Sequence, residues 1–136
     1  MKIIQISTVI VFLISINLQG QNLIGYSEKD VRQYMTDNQK EMTFQSFINN
    51  STFKYLKYTN SDETITLLFF LNEQSICKSV RFVCDKSLKT EKTKELDSKY
   101  TKIGENQWVE TKNGKKYLIE MKEEDWSFNV TIKLNE

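Results

Sequence analysis

An alternating stretch near the C-terminus sets the first requirement on the fold. Trp126, Phe128, Val130, Ile132 and Leu134 are large and apolar, and a polar residue separates each from the next. Because successive side chains of a strand point to opposite faces of a sheet, this pattern predicts a strand over residues 126–134 with one buried face. The rest of the chain must therefore supply neighbouring strands and a layer that covers that face.

The first twenty residues have the pattern of a secretory signal peptide. Lys2 gives a positive start, residues 3–16 are mostly aliphatic, and Gly20 is a small residue at a cleavage point. A run of 14 residues is also shorter than the roughly 20 that span a bilayer. We expect residues 1–20 to be removed and residues 21–136 to form a single exported domain, periplasmic or secreted, with no membrane insertion of the mature chain.

Charge and composition exclude several function classes. The chain has 19 basic and 18 acidic residues, so loss of Lys2 with the signal peptide leaves the formal charge near zero and predicts no nucleic-acid partner. It has no histidine, which removes Ser-His-Asp and Cys-His catalysis and His-ligated zinc. We expect no enzyme activity, no cofactor, no metal site and no catalytic residues.

Ser27 predicts the start of a first helix, because a serine hydroxyl can accept from the amide three residues on. Residues 28–38 carry apolar side chains at helical spacing, namely Val31, Tyr34 and Met35. Residues 39–52 are mostly polar with Phe44 and Phe47 among them, and we interpret them as an ordered loop or a short turn of helix.

Three β-favouring segments follow and predict a meander over residues 53–59, 64–71 and 75–84. Residues 64–71 are almost continuously apolar, which is typical of a central strand covered on both sides. In the third segment, Ile76, Val80, Phe82 and Cys84 are expected to share one face.

The second half repeats this order. Residues 87–100 predict a helix with a thin apolar stripe, and residues 108–111, 116–122 and 126–134 predict three strands. Asn113-Gly114 is a strong hairpin signal, because both central residues of a type I′ turn need positive φ. We therefore predict an α+β fold, an antiparallel sheet of about six strands with two helices on one face, built as two α-β-β-β units.

Cys77 and Cys84 are the two cysteines of an expected exported chain. Seven residues of continuous strand span about 23 Å, whereas the Cα atoms of a disulfide lie within about 7 Å. Opposite parity also places the two side chains on opposite sides of the sheet. Two separate thiols are the favoured interpretation, and an intrachain bridge stays open if the strand is interrupted.

Aromatic residues are numerous enough to build a binding platform. The candidates are Trp108, Tyr117, Trp126, Phe69, Phe70 and Phe82. Most such residues belong to the core, but helices on one face would leave the other face free for a partner. On the C-terminal strand that face carries Ser127, Asn129, Thr131 and Lys133. The acidic turn at residues 123–125 is interpreted as a solvated hairpin turn.

Four stretches carry a family resemblance: residues 23–27, 76–81, 108–110 and 126–130. The mature chain resembles a group of small exported α+β proteins of Gram-negative bacteria, and the resemblance brings no activity or site with it. The repeated helix-and-meander unit is also similar in architecture to the β-lactamase inhibitor protein fold. We expect a non-enzymatic binding module that holds a protein partner through a sheet face or edge. A small-molecule or lipid carrier is the alternative, followed by a His-free hydrolase, and the binding residues are unknown.

Overall fold

Eight strands form one antiparallel sheet accompanied by two helices, in a computed structural model that describes residues 22–135. The predicted signal peptide lies outside the described residues. The helices are α1 (Glu28–Asn38) and α2 (Lys89–Lys99), the latter preceded by a 3₁₀ turn at Lys86–Leu88. The strands are β1 (Met42–Asn49), β2 (Lys54–Asn60), β3 (Ile65–Leu71), β4 (Cys77–Asp85), β5 (Thr101–Gly104), β6 (Gln107–Lys112), β7 (Lys115–Glu123) and β8 (Ser127–Leu134). The α+β prediction is confirmed, but the count of about six strands is wrong.

The strand order is β1-β2-β3-β4-β8-β7-β6-β5. Each half of the chain is a helix followed by a four-stranded meander, so the predicted unit of three strands is one strand short. The two meanders join where β4 pairs with β8, from Ser79 opposite Lys133 to Asp85 opposite Ser127. The last strands of the two halves thus lie side by side in the middle of the sheet.

The two strands that the sequence did not predict are the two edges of the sheet. β1 lies in the segment interpreted as a loop or helical turn. Its register shifts between Phe44 and Ser46, and this bulge brings Phe44 and Phe47 to the same face at a spacing that resembles a helix. β5 has four residues directly after α2, too few for an alternating pattern. An edge strand needs to bury little, so its sequence carries little pattern.

The hydrophobic core lies on one face of the sheet. A continuous cross-strand row runs through Leu56, Phe69, Val80, Ile132, Ile119 and Trp108, all of them buried. α2 lies on this face, because its Leu96 belongs to the same core and the indole Nε1 of Trp108, at the end of the row, donates to Asp97 at 2.9 Å. The guanidinium of Arg32 on α1 lies 4.7 Å from the ring centroid of Phe44, whose cross-strand partner Tyr58 is part of the same core. Both helices therefore pack on one face.

Local signals placed α1 and one hairpin correctly. The hydroxyl of Ser27 accepts from the amide of Asp30 at 3.2 Å, and α1 covers the predicted residues 28–38. Asn113 and Gly114 have φ of 52° and 75°, as a type I′ hairpin requires. Both features depend on a few adjacent residues, which explains why sequence alone located them.

Three predictions about burial are wrong. β3 is buried on one side only, since Thr66, Leu68 and Phe70 are half-buried. Trp126 precedes β8 and is 89% exposed. Cys77 and Cys84 lie on the same side of the sheet, because an extra residue in β4 lets Phe70 pair with Ser79 and Leu71 with Cys77. Both cysteines are free, buried thiols.

Candidate functional site

The sheet face turned away from the helices is the candidate site, and we call it the open face. Most of its side chains form three cross-strand rows, and Asp85 paired with Ser127 and Thr111 paired with Lys116 extend the face beyond them. The first runs Ile48, Tyr55, Phe70, Ser79, Lys133, Leu118 and Val109; the second runs Ser46, Lys57, Leu68, Arg81, Thr131, Glu120 and Gln107; the third runs Thr43, Thr59, Thr66, Val83, Asn129 and Lys122. Most of these side chains are half-buried, because neighbours within the sheet shield them. The described helices contribute nothing to their cover.

The β1–β3 side of the open face is apolar. Ile48, Tyr55, Leu68 and Phe70 form what we call the aromatic patch, in which the rings of Tyr55 and Phe70 have centroids 5.5 Å apart and planes inclined by 59°. Beside it lies a depression of about 460 Å³ between the turns after β1 and β3, lined in part by Phe53, Phe70 and Asn72. Phe53 is 54% exposed. A flat apolar surface therefore leads directly into a concavity.

The open face is basic although the chain is nearly neutral. Its paired residues include five basic side chains, Lys57, Arg81, Lys116, Lys122 and Lys133, and two acidic ones, Asp85 and Glu120. Their formal net charge is +3, against +1 for the whole chain. Lys133 and Glu120 neutralise each other through an ion pair at 3.3 Å. The other four basic side chains of the open face lie around its apolar residues.

Two polar atoms in the middle of this face lack partners. Arg81 Nε and Asn129 Oδ1 are buried and form no hydrogen bond among the described residues. Arg81 lies opposite Thr131, and Asn129 lies two residues earlier on the same strand, so the two residues are diagonal neighbours. An unsatisfied buried polar group costs about 1–3 kcal/mol. Because folded domains seldom leave such groups unpaired, this position is a candidate for function.

The four side chains predicted for function all lie on the open face. Ser127 faces Asp85, Asn129 faces Val83, and Thr131 and Lys133 face Arg81 and Ser79. Of the six candidate aromatics, Phe70 alone lies on this face. Trp108, Tyr117, Phe69 and Phe82 belong to the core, and Trp126 is exposed on the turn before β8.

Sequence reasoning missed Arg81 and, apart from the candidate Phe70, the residues of the aromatic patch. Leu68 and Phe70 appeared to be core because β3 is apolar on both sides. When a strand is apolar on both faces, its sequence does not show which face is buried until the neighbouring strands are known. The available signal was the presence of Lys57 and Arg81 on the flanking strands, since cations seldom lie opposite a fully buried leucine.

A second concavity lies between α1 and the edge strand β1. This groove of about 600 Å³ is lined by Arg32, Met35, Gln39, Met42, Phe44 and Tyr58, among others. Gln39 is 6% exposed, and its Oε1 has no hydrogen-bond partner among the described residues. Burial raises the pKa of Tyr58, and the nearby Arg32 opposes that rise. The groove thus joins apolar walls with two cations, Arg32 and Lys40.

The potentially reactive side chains singled out by the sequence are the two thiols and the acidic turn. Burial raises the pKa of Cys77 to about 12 and that of Cys84 to about 11, so both thiols are protonated at neutral pH. In the acidic turn, Glu123 pairs with Lys89 at 2.7 Å, which lowers the pKa of its carboxyl. Within residues 22–135, no three potential metal-ligating side chains cluster.

No family model, curated protein or solved structure matches the chain. Between residues 22 and 135, neither helix is long and apolar enough to cross a membrane.

Proposed function

We propose that this protein is a non-enzymatic, exported binding module that holds a protein partner on the open face of its sheet. The observation that carries the proposal is an uncovered face that combines the aromatic patch with central polar groups lacking partners. Buried aromatic and arginine side chains are the residues that contribute most to protein interfaces.

The size of the open face suits a protein partner. Eight strands at about 4.8 Å spacing are about 34 Å wide, and the mean strand length of about seven residues extends about 23 Å. The resulting area of about 800 Å² equals one partner's share of a standard protein interface. The depression beside Phe70 offers a place for an inserted side chain.

The edges of the sheet favour the face over edge pairing. β1 has a bulge at its middle, and β5 has four residues that include Lys102. Bulges, short length and lysine are the features by which edge strands resist pairing with another chain. A partner is therefore better accommodated on the face than along either edge.

Affinity capture from the native envelope tests the proposal. Leu68→Lys places a third cation between Lys57 and Arg81 on the open face, and Ile103→Lys makes the same chemical change at the exposed edge β5. We expect the partner recovered with the wild-type protein to be depleted at least tenfold with Leu68→Lys and retained with Ile103→Lys. Far-UV circular dichroism and urea titration check that both variants fold.

Two results would contradict the proposal. Equal recovery of the partner with Leu68→Lys and wild type would place the contact elsewhere. Loss with both variants would show that an added lysine, rather than its position, disrupts the complex.

A second candidate function is favoured by the groove between α1 and β1. Its apolar walls, the cation Arg32 and the unpartnered Oε1 of Gln39 suit a small amphipathic molecule with an acidic group and a hydrogen-bond donor. Native mass spectrometry of freshly purified protein tests this function. A retained ligand that Phe44→Ala releases would support it, and a ligand-free spectrum would count against it.

A further inference from the structure

Arg81 is the cation at the centre of the open face. It lies on β4, one of the two middle strands, and its guanidinium carbon is 5.2 Å from the ring centroid of Phe70. Its cross-strand neighbours are Leu68 and Thr131, neither of which is charged. Among the ion pairs of residues 22–135 none involves Arg81, and its Nε has no acceptor.

The only other arginine provides a comparison within the same chain. Arg32 also lies over phenylalanine rings, those of Phe44 and Phe47. Its Nε, however, is 3.4 Å from the carboxylate of Glu28. Both guanidinium groups therefore have aromatic support, and only Arg81 lacks the carboxylate.

We propose that Arg81 anchors the partner by binding the side-chain carboxylate of an Asp or Glu that has apolar residues on both sides. This inference rests on the proposed function and names the chemistry of its partner. A guanidinium fork binds a carboxylate through two parallel hydrogen bonds; the two Nη groups of Arg81 supply these donors, because its Nε is buried beneath the face. The net charge of +3 on the open face favours an acidic partner.

The position of Arg81 favours the carboxylate of a side chain over the carboxylate at the end of a chain. The aromatic patch lies on one side of Arg81, and Val109 and Leu118 lie on the other side beyond the β4–β8 pair. A segment that crosses the face can place apolar side chains on both. A terminal carboxylate has chain on one side only and would leave half of this surface uncovered.

The test uses a blocked peptide, acetyl-Phe-Ser-Glu-Ser-Leu-amide, and its Gln counterpart, titrated into the ¹⁵N-labelled protein; in an extended chain the Phe and Leu side chains lie on the same side as that of Glu. With two arginines in the chain, the Nε–Hε region of the NMR spectrum contains two side-chain signals, and that of Arg32 is an internal control. We expect the Glu peptide to shift the Arg81 signal and the amides of Leu68 and Thr131 while the Arg32 signal stays in place. The Gln peptide should bind at least tenfold more weakly.

Substitutions separate the guanidinium from general positive charge. Arg81→Gln should weaken binding of the Glu peptide at least tenfold and Arg81→Lys by an intermediate factor. Lys57→Gln, which removes one cation from the same face, should weaken it less than threefold. Wild-type amide spectra away from the face would confirm that each variant is folded.

Equal affinity for the Glu and Gln peptides, with shifts on the open face, would overturn the role of Arg81 and leave the proposed function intact. Absence of any Arg81 shift with the Glu peptide at millimolar concentration would also overturn it. Failure of the proposed function is a separate result, namely retention of the captured partner by Leu68→Lys.

Discussion

Phe128 and Trp126 show how sharply burial changes over two residues. Phe128 is fully buried, whereas Trp126 is 89% exposed. The amide of Glu124 donates to the carbonyl of Ser127 at 2.9 Å, and this turn leaves Trp126 outside the strand. An alternating pattern identifies a strand face, but the turn decides where the strand begins.

Alanine substitutions at these two positions should differ greatly in cost. Phe128→Ala should lower the free energy of unfolding by about 3–5 kcal/mol through lost burial and a cavity. Trp126→Ala should change it by less than about 0.5 kcal/mol, as expected of an exposed residue. Urea titration followed by circular dichroism measures both, and similar costs would mean that Trp126 packs in the fold.

The buried thiols should make the protein less stable at alkaline pH. Burial raises the pKa of Cys77 from 9.0 to about 12 and that of Cys84 from 9.0 to about 11. Above pH 9 the unfolded chain loses these protons while the folded chain keeps them, so the free energy of unfolding falls as pH rises. Between pH 9 and 11 each thiol should contribute a slope of at most about 1.4 kcal/mol per pH unit, largest near the middle of this range for Cys84.

A variant without thiols is the control for this slope. Cys77→Ala combined with Cys84→Ala should start from a lower stability at pH 8 and lose less of it by pH 11, measured by urea titration at each pH. Identical slopes for wild type and variant would show that the two thiols do not titrate differently in the folded and unfolded chains.

At the scale of single elements, the β6–β7 hairpin depends on one glycine. Gly114 has φ of +75° with open space where a Cβ would lie, whereas Gly104 lacks a positive φ and a Cβ there would meet the flexible Gln107 side chain at 3.3 Å. Backbone strain should make Gly114→Ala cost about 1 kcal/mol.

Gly104→Ala is the matched control, because the same methyl group is added without positive φ. We expect it to cost clearly less than Gly114→Ala in thermal and urea unfolding. The reverse order would show that crowding at Gln107 outweighs the conformational requirement of the turn.

At the scale of the whole molecule, the two halves share one core. β4 and β8 pair over seven residues, and Val80, Phe82 and Cys84 join Ile132, Val130 and Phe128 on the buried face. Separating the halves would expose this seam to water and leave one edge of β4 and one edge of β8 without hydrogen-bond partners. The halves should therefore unfold together.

A Trp126→Phe background makes this testable, since the fluorescence of Trp108 then reports the second half alone. Its urea midpoint should coincide with that of far-UV circular dichroism, which reports both halves. Two separated midpoints would show that each helix-and-meander unit is a domain of its own.

What the sequence by itself determined is what neighbouring residues specify. The cap at Ser27, the Asn113-Gly114 turn and the alternation of Phe128, Val130 and Ile132 each involve a few adjacent residues, and the structure has them as predicted. The α+β class and the two helices follow from the same local patterns.

Tertiary structure alone decided which apolar residues stay uncovered. Pairing of β4 with β8 is a non-local event that brings Arg81 beside Thr131. Leu68 and Phe70 stay on the open face because both helices pack on the other face of the sheet. The edge strands and the bulge that carries Cys77 to the core side likewise depend on partner strands distant in sequence. The alternating pattern of a strand determines which side chains share a face, but only the packed helices determine which face is buried.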